Sequence, residues 1–130
     1  MLAVIWLTTM IVPVVTVLAG LLLLKAPPAE RNALFGYRTN RSRISQQTWD
    51  YANKRYGKLA FRFGFLSMVC CVLINLLWTG EYDALVLIDL IPGIFFLIFP
   101  IFIVENEIKC YFDKEGLPYK ERNDENSEHD

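Results

Sequence analysis

Residues Leu2 to Leu24 read LAVIWLTTMIVPVVTVLAGLLLL, a run without one charged side chain. A helix of about 20 residues crosses the roughly 30 Å hydrocarbon core of a bilayer, and this run is long enough. Two further apolar runs follow, Leu59 to Trp78 and Ala84 to Val104, set apart by polar segments of different character. A soluble helix needs a polar face, and Val14 to Leu24 or Ile94 to Val104 offer almost none. A helix that is apolar all round belongs in lipid or in a large core, and 130 residues are too few to build that core. The expected fold class is therefore an all-α integral membrane protein. It has three transmembrane helices at about 2–24, 59–78 and 84–104, with a basic cytosolic loop (25–58) and a short interfacial helix between the first and second.

Composition agrees, with 54% hydrophobic residues and a mean hydropathy of +0.30 despite densely charged polar segments. The net charge of -1 averages over a strong segregation. One membrane domain over 1–117 is expected, followed by a polar tail over 118–130 that has nothing apolar to bury and reads as disordered. His129, the only histidine, falls in that tail and is not a catalytic candidate. Met1 to Val12 lacks the basic residues of a signal peptide, so the first run reads as a retained span. Cys70 and Cys71 read as small packing residues of the second span. Cys110, just past the third, is a weak lipidation candidate.

Charge sets the expected orientation. Lys25, Arg31, Arg38, Arg41, Arg43, Lys54, Arg55 and Lys58 face only Glu30 and Asp50 in the first connection, whereas the second carries Glu81 and Asp83 and no base. The positive-inside rule puts the first connection in the cytosol. The amino terminus is then outside and the carboxyl terminus cytosolic, in a multi-pass protein of a cell membrane.

Within the loop, Ala26-Pro27-Pro28-Ala29 stops the first helix. Phe35-Gly36-Tyr37-Arg38-Thr39-Asn40-Arg41-Ser42-Arg43 follows as a compact turn, where Gly36 allows a positive φ. Its three arginines suit phosphates, of which anionic lipid headgroups are the nearest. From Ser45, a suitable cap, the residues Trp49, Ala52, Tyr56, Ala60 and Phe63 recur every three or four and make an apolar stripe. Lys54, Arg55 and Lys58 fall off the stripe, toward lipid or solvent. Gly57 is expected to bend the chain between a surface helix and the second span. On these grounds alone the segment is an anchor that orients the span.

The segment also carries a resemblance. Phe35-Gly36-Tyr37-Arg38-Thr39, Ser42, Gln47-Thr48-Trp49, Ala52-Asn53 and Gly57 resemble the signature of the SdpI family, membrane immunity proteins of bacteria against a secreted sporulation-delay killing peptide. The likeness is to the family's conserved carboxyl-terminal module of three spans. It implies binding residues at Gly36, Arg38, Thr39, Ser42, Trp49, Asn53 and Gly57, and a role in toxin resistance at the cell membrane. The partner it implies is a peptide toxin or a soluble regulator held at the membrane, in addition to the lipid bilayer with its anionic headgroups.

The spans hold polar residues of their own. Asp89 is costly in lipid, so it faces a partner helix, water or the interface. It caps a helix broken near Pro92 and Gly93, or it has a function. Asn75 is at similar depth, and a hydrogen bond to Asp89 satisfies both at a net gain of about 1 kcal/mol. Glu105 or Asn106, level with the basic loop, is expected to pin Arg38 in a polar pocket, with Thr39 and Ser42 as its lining and Trp49 and Asn53 as one wall. Thr16, Ala19 and Gly20 are small enough for close helix contact, within the chain or in a homo-oligomer.

No P-loop, zinc-binding helix motif or nucleophile elbow is present. The expectation is no enzyme, no cofactor, no metal and no nucleic acid. A protective binding role ranks first. A small oligomeric transporter or channel, motivated by Asn75 and Asp89, and a membrane anchor for a soluble regulator are the alternatives.

Overall fold

In the computed structural model of the chain, residues 1–31 and 36–120 are described. Three helices follow one another: α1 (Leu2–Lys25), α2 (Gln46–Leu77) and α3 (Tyr82–Tyr111). All three are long and apolar enough to cross a membrane. Phe35 of the loop motif, the expected disordered stretch from residue 121 onward and His129 lie outside the described residues.

The packing is that of a bundle in lipid. Large apolar side chains such as Leu7, Leu73, Leu87, Ile91 and Phe102 face outward and are exposed, while the interior holds Thr9, Thr16, Ser67, Cys71 and Asp89. Lipid gives helices no hydrophobic reason to associate, so small residues that let backbones approach provide the contact. Gly20 of α1 is pressed so closely on α2 that a methyl group there would overlap the backbone of Ala60 and Phe61. Gly57 and Gly64 answer from α2, against Leu23 and against Val17.

Two expectations change here. The segment after Ser45 is not a separate interfacial helix. It forms the first turns of one uninterrupted 32-residue helix that continues into the second span. Gly57 lies inside that helix, where its missing side chain admits α1. Nothing between Gln46 and Leu77 breaks the hydrogen-bond ladder, and Ser45 starts it with a reciprocal cap. The Ser45 hydroxyl accepts from the Thr48 amide, and the Thr48 hydroxyl accepts from the Ser45 amide. Likewise α3 runs unbroken through Pro92, Gly93 and Pro100, so Asp89 caps no broken helix.

The polar end of the bundle is closed by the 26–45 connection and by the chain after α3. There Phe112 pairs with Pro118 around a turn with Gly116 at φ +79°. The Ser45 hydroxyl donates to the Gly116 carbonyl at 2.7 Å, so the helix cap and this turn share one side chain. Pro118, the first residue of the expected polar tail, takes part in this closure through its pairing with Phe112.

Candidate functional site

The loop is held by a buried polar clamp. Gly36 has φ +100° and lies beneath Asn53, whose side-chain oxygen would be 2.5 Å from any Cβ at that position. Both the backbone angle and the space therefore call for glycine. The Asn53 oxygen accepts from the Tyr37 amide at 2.7 Å, and its amino group donates to the carbonyls of Trp49 at 2.9 Å and Tyr37 at 3.4 Å. The Trp49 indole N–H donates to the Pro28 carbonyl at 2.9 Å, which ties the end of the proline stop to α2. Ser42 completes the turn, with its hydroxyl within reach of the Tyr37 and Thr39 carbonyls and its amide donating to Thr39 Oγ1. Trp49, Asn53 and Ser42 have no exposed surface, so each of these polar atoms depends on its partner.

Tyr37 joins the clamp to α3. Its ring packs on Tyr56 with centroids 4.9 Å apart. Its hydroxyl donates to Glu105 at 2.8 Å. Burial, and then the neighbouring Glu105 carboxylate, push that hydroxyl well above the ordinary tyrosine value, so it remains a donor. Arg41 Nε lies 3.4 Å from the other Glu105 oxygen. Two residues further along α3, about half a turn, Glu107 receives two nitrogens of Arg55 at 3.0 Å and the Tyr51 hydroxyl at 2.6 Å.

This arrangement corrects the expected pocket. Glu105 is engaged by Tyr37 and Arg41, not by Arg38. Arg38 and Asn106 are both exposed, and Arg38 is not the floor of an enclosed site. The motif divides by role: Gly36, Thr39, Ser42, Trp49 and Asn53 build the turn and its support, Gly57 admits α1, and Arg38 stands out from them. Arg55, expected to face lipid or solvent, instead grips Glu107. Tyr37, Tyr51 and Glu107 carry contacts that sequence reasoning did not assign to them. The spacing of Tyr51 and Arg55 by four, opposite an acidic pair spaced by two, was the available signal.

Deep in the bundle the structure brings Asn75 and Asp89 together, the Asn75 amino group donating to one Asp89 oxygen by a short hydrogen bond. The same amino group donates to the Cys71 carbonyl at 2.8 Å and lies 3.5 Å from Thr9 Oγ1, so all three helices meet there. The remaining oxygens of Asn75 and Asp89 are buried and have no protein partner. Asp89 is only 2% exposed, which closes it from water within one chain. Among the described residues no cluster of three His, Cys, Asp or Glu side chains is placed to hold a metal ion.

Chemically, the polar end can display cations on a rigid base; among the described residues it assembles no nucleophile with a base beside it. No curated protein and no solved structure matches the chain. The family model described as the SdpI/YfhL protein family matches residues 29–104, from the end of the proline stop to Val104 at the end of the long apolar run of α3. That match takes in the Asn53 clamp, α2 and the Asn75–Asp89 pair. With more than half of its length matched, the chain belongs to the SdpI/YfhL family.

Proposed function

We propose that the chain is a membrane immunity protein that protects the cell from a secreted membrane-active peptide. It would do so by binding the peptide or by shielding the target the peptide attacks. The observation that carries this reading is the division of the motif. Five of its residues, Gly36, Thr39, Ser42, Trp49 and Asn53, are consumed in holding the turn, and Arg38 is left exposed on that rigid base. A guanidinium with no hydrogen bond or ion pair among the described residues is available to a ligand, and its planar fork suits phosphate or carboxylate. The excess of bases in the loop argues for a cytosolic position of this face, with the amino terminus outside.

The same surface would serve a membrane anchor for an acidic soluble regulator, since the exposed cations attract such a face. The transporter reading gains nothing from Asn75 and Asp89, which are shut between the helices. The test is survival of a sensitive bacterial strain expressing the intact chain or Arg38→Ala at equal membrane levels, challenged with secreted membrane-active peptides. Protection lost in the variant supports the reading. Equal protection by both removes Arg38 from it, and no protection by either removes the immunity role.

A further inference from the structure

Beside the clamp, between the 40–44 turn and the end of α3, lies an open cleft of about 540 Å³. Its rim carries Arg41, Lys109 and Lys114, and its floor is made by Ile44, Ile108 and Phe112. Asp113 is the one carboxylate in the lining, and one of its oxygens already accepts the Glu115 and Leu117 amides of its own turn. Arg41 Nε lies 3.4 Å from Glu105, and the guanidinium carries two terminal amino groups as further donors. Lys109 and Lys114 are exposed.

The depth of the cleft identifies its surroundings. Lys109 stands five residues beyond Val104, about 7–8 Å along a helix at 1.5 Å per residue. A headgroup layer is roughly 5–8 Å thick on each side of the hydrocarbon. By this measure Lys109 falls at the depth of the phosphates of the leaflet next to this end, and Arg41 and Lys114 line the same cleft.

We propose that this cleft is a specific site for an anionic phospholipid of the surrounding membrane. The phosphate is held by Arg41, Lys109 and Lys114, and the glycerol and upper acyl carbons rest on Ile44, Ile108 and Phe112. An apolar floor beneath a cationic rim suits an amphiphile better than a free anion or an acidic peptide, which would leave the floor uncovered. The site is separate from Arg38 and does not depend on the immunity role.

The experiment is native mass spectrometry of the full chain titrated with short-chain phosphatidylglycerol, and separately with phosphatidylcholine of the same chain length. It uses the intact chain, Lys109→Gln/Lys114→Gln, and Lys54→Gln/Lys58→Gln as a control for diffuse basic charge. One phosphatidylglycerol should bind in clear preference to phosphatidylcholine. The cleft variant should weaken it by about 10- to 30-fold, and the control by less than about 3-fold. All four lysines are exposed, and circular dichroism verifies that each variant folds. Equal loss in both variants, or equal binding of the two lipids, overturns the proposal. Displacement of the lipid by inorganic phosphate at equal concentration would make the site one for free phosphate and also overturn it. Displacement by an acidic peptide at lower concentration would overturn it in favour of a protein partner.

Discussion

Asn53 grips the backbone of Tyr37 from both sides, accepting its amide proton at 2.7 Å and donating to its carbonyl at 3.4 Å. One buried side chain thereby does for a loop residue what a neighbouring strand would do. Asn53→Leu leaves the Tyr37 amide and the Trp49 carbonyl without that partner, and a loss of about 2–4 kcal/mol is expected. Asn53→Asp keeps the acceptor and loses the donor, so it should also destabilise. Unfolding in mild detergent, followed by circular dichroism, measures both.

Gly36→Ala should destabilise the turn by at least about 1–2 kcal/mol, since it meets an unfavourable positive φ and the Asn53 oxygen together. Shortening Asn53 in the same chain relieves the oxygen contact alone and leaves the positive φ and the approach to Pro28 Cγ. The double variant Gly36→Ala/Asn53→Ala should therefore lose less than the sum of the two single changes.

At the α1–α2 contact, Gly20→Leu should force the helices apart, at about 1–3 kcal/mol or more. Ala19→Leu is the comparison, since Ala19 is exposed on α1. A proteolysis rate that rises for the first variant and not the second would agree with close backbone packing; equal rates would contradict it.

Arg55 and Glu107 form a two-pronged ion pair with part of its surface open to solvent. A double-mutant cycle with Arg55→Ala and Glu107→Ala should give a coupling of about 1 kcal/mol, falling as salt is raised. Arg38→Ala should instead change stability by no more than about 0.5 kcal/mol. If protection is lost at the same time, the side chain acts on something outside the chain.

Asn75→Leu leaves Asp89 buried without its donor, and Asp89→Leu leaves the Asn75 amide short of an acceptor. The two changes together should cost less than their sum, with a coupling of about 1 kcal/mol. Thermal unfolding of the three variants in the same lipid reads it.

The spans were legible because length and unbroken apolarity are local properties, and so was the Ser45 cap, whose partner Thr48 is three residues away. Gly57 was misread for the opposite reason. A glycine that bends a helix and a glycine that admits a neighbour look alike until Gly20, far off in the chain, is placed against it. The charge count rightly set an acidic patch on α3 near the loop, but counting does not say which base takes which acid. Tyr37, buried and able to reach Glu105, competes better than exposed Arg38. Asn75 and Asp89 were paired from depth alone, because both lie within two turns of the same short connection.

Because α2 continues without a joint from the span to Ser45, the clamp is mounted on the end of a stiff lever. Residues 46–58 make about 20 Å of helix, at 1.5 Å per residue, on the loop side of Leu59. A tilt of about 10° in the span would carry the loop sideways by roughly 3–4 Å on such an arm. Bilayer thickness alters the tilt of spanning helices, and whatever sets that angle also sets where Arg38 stands.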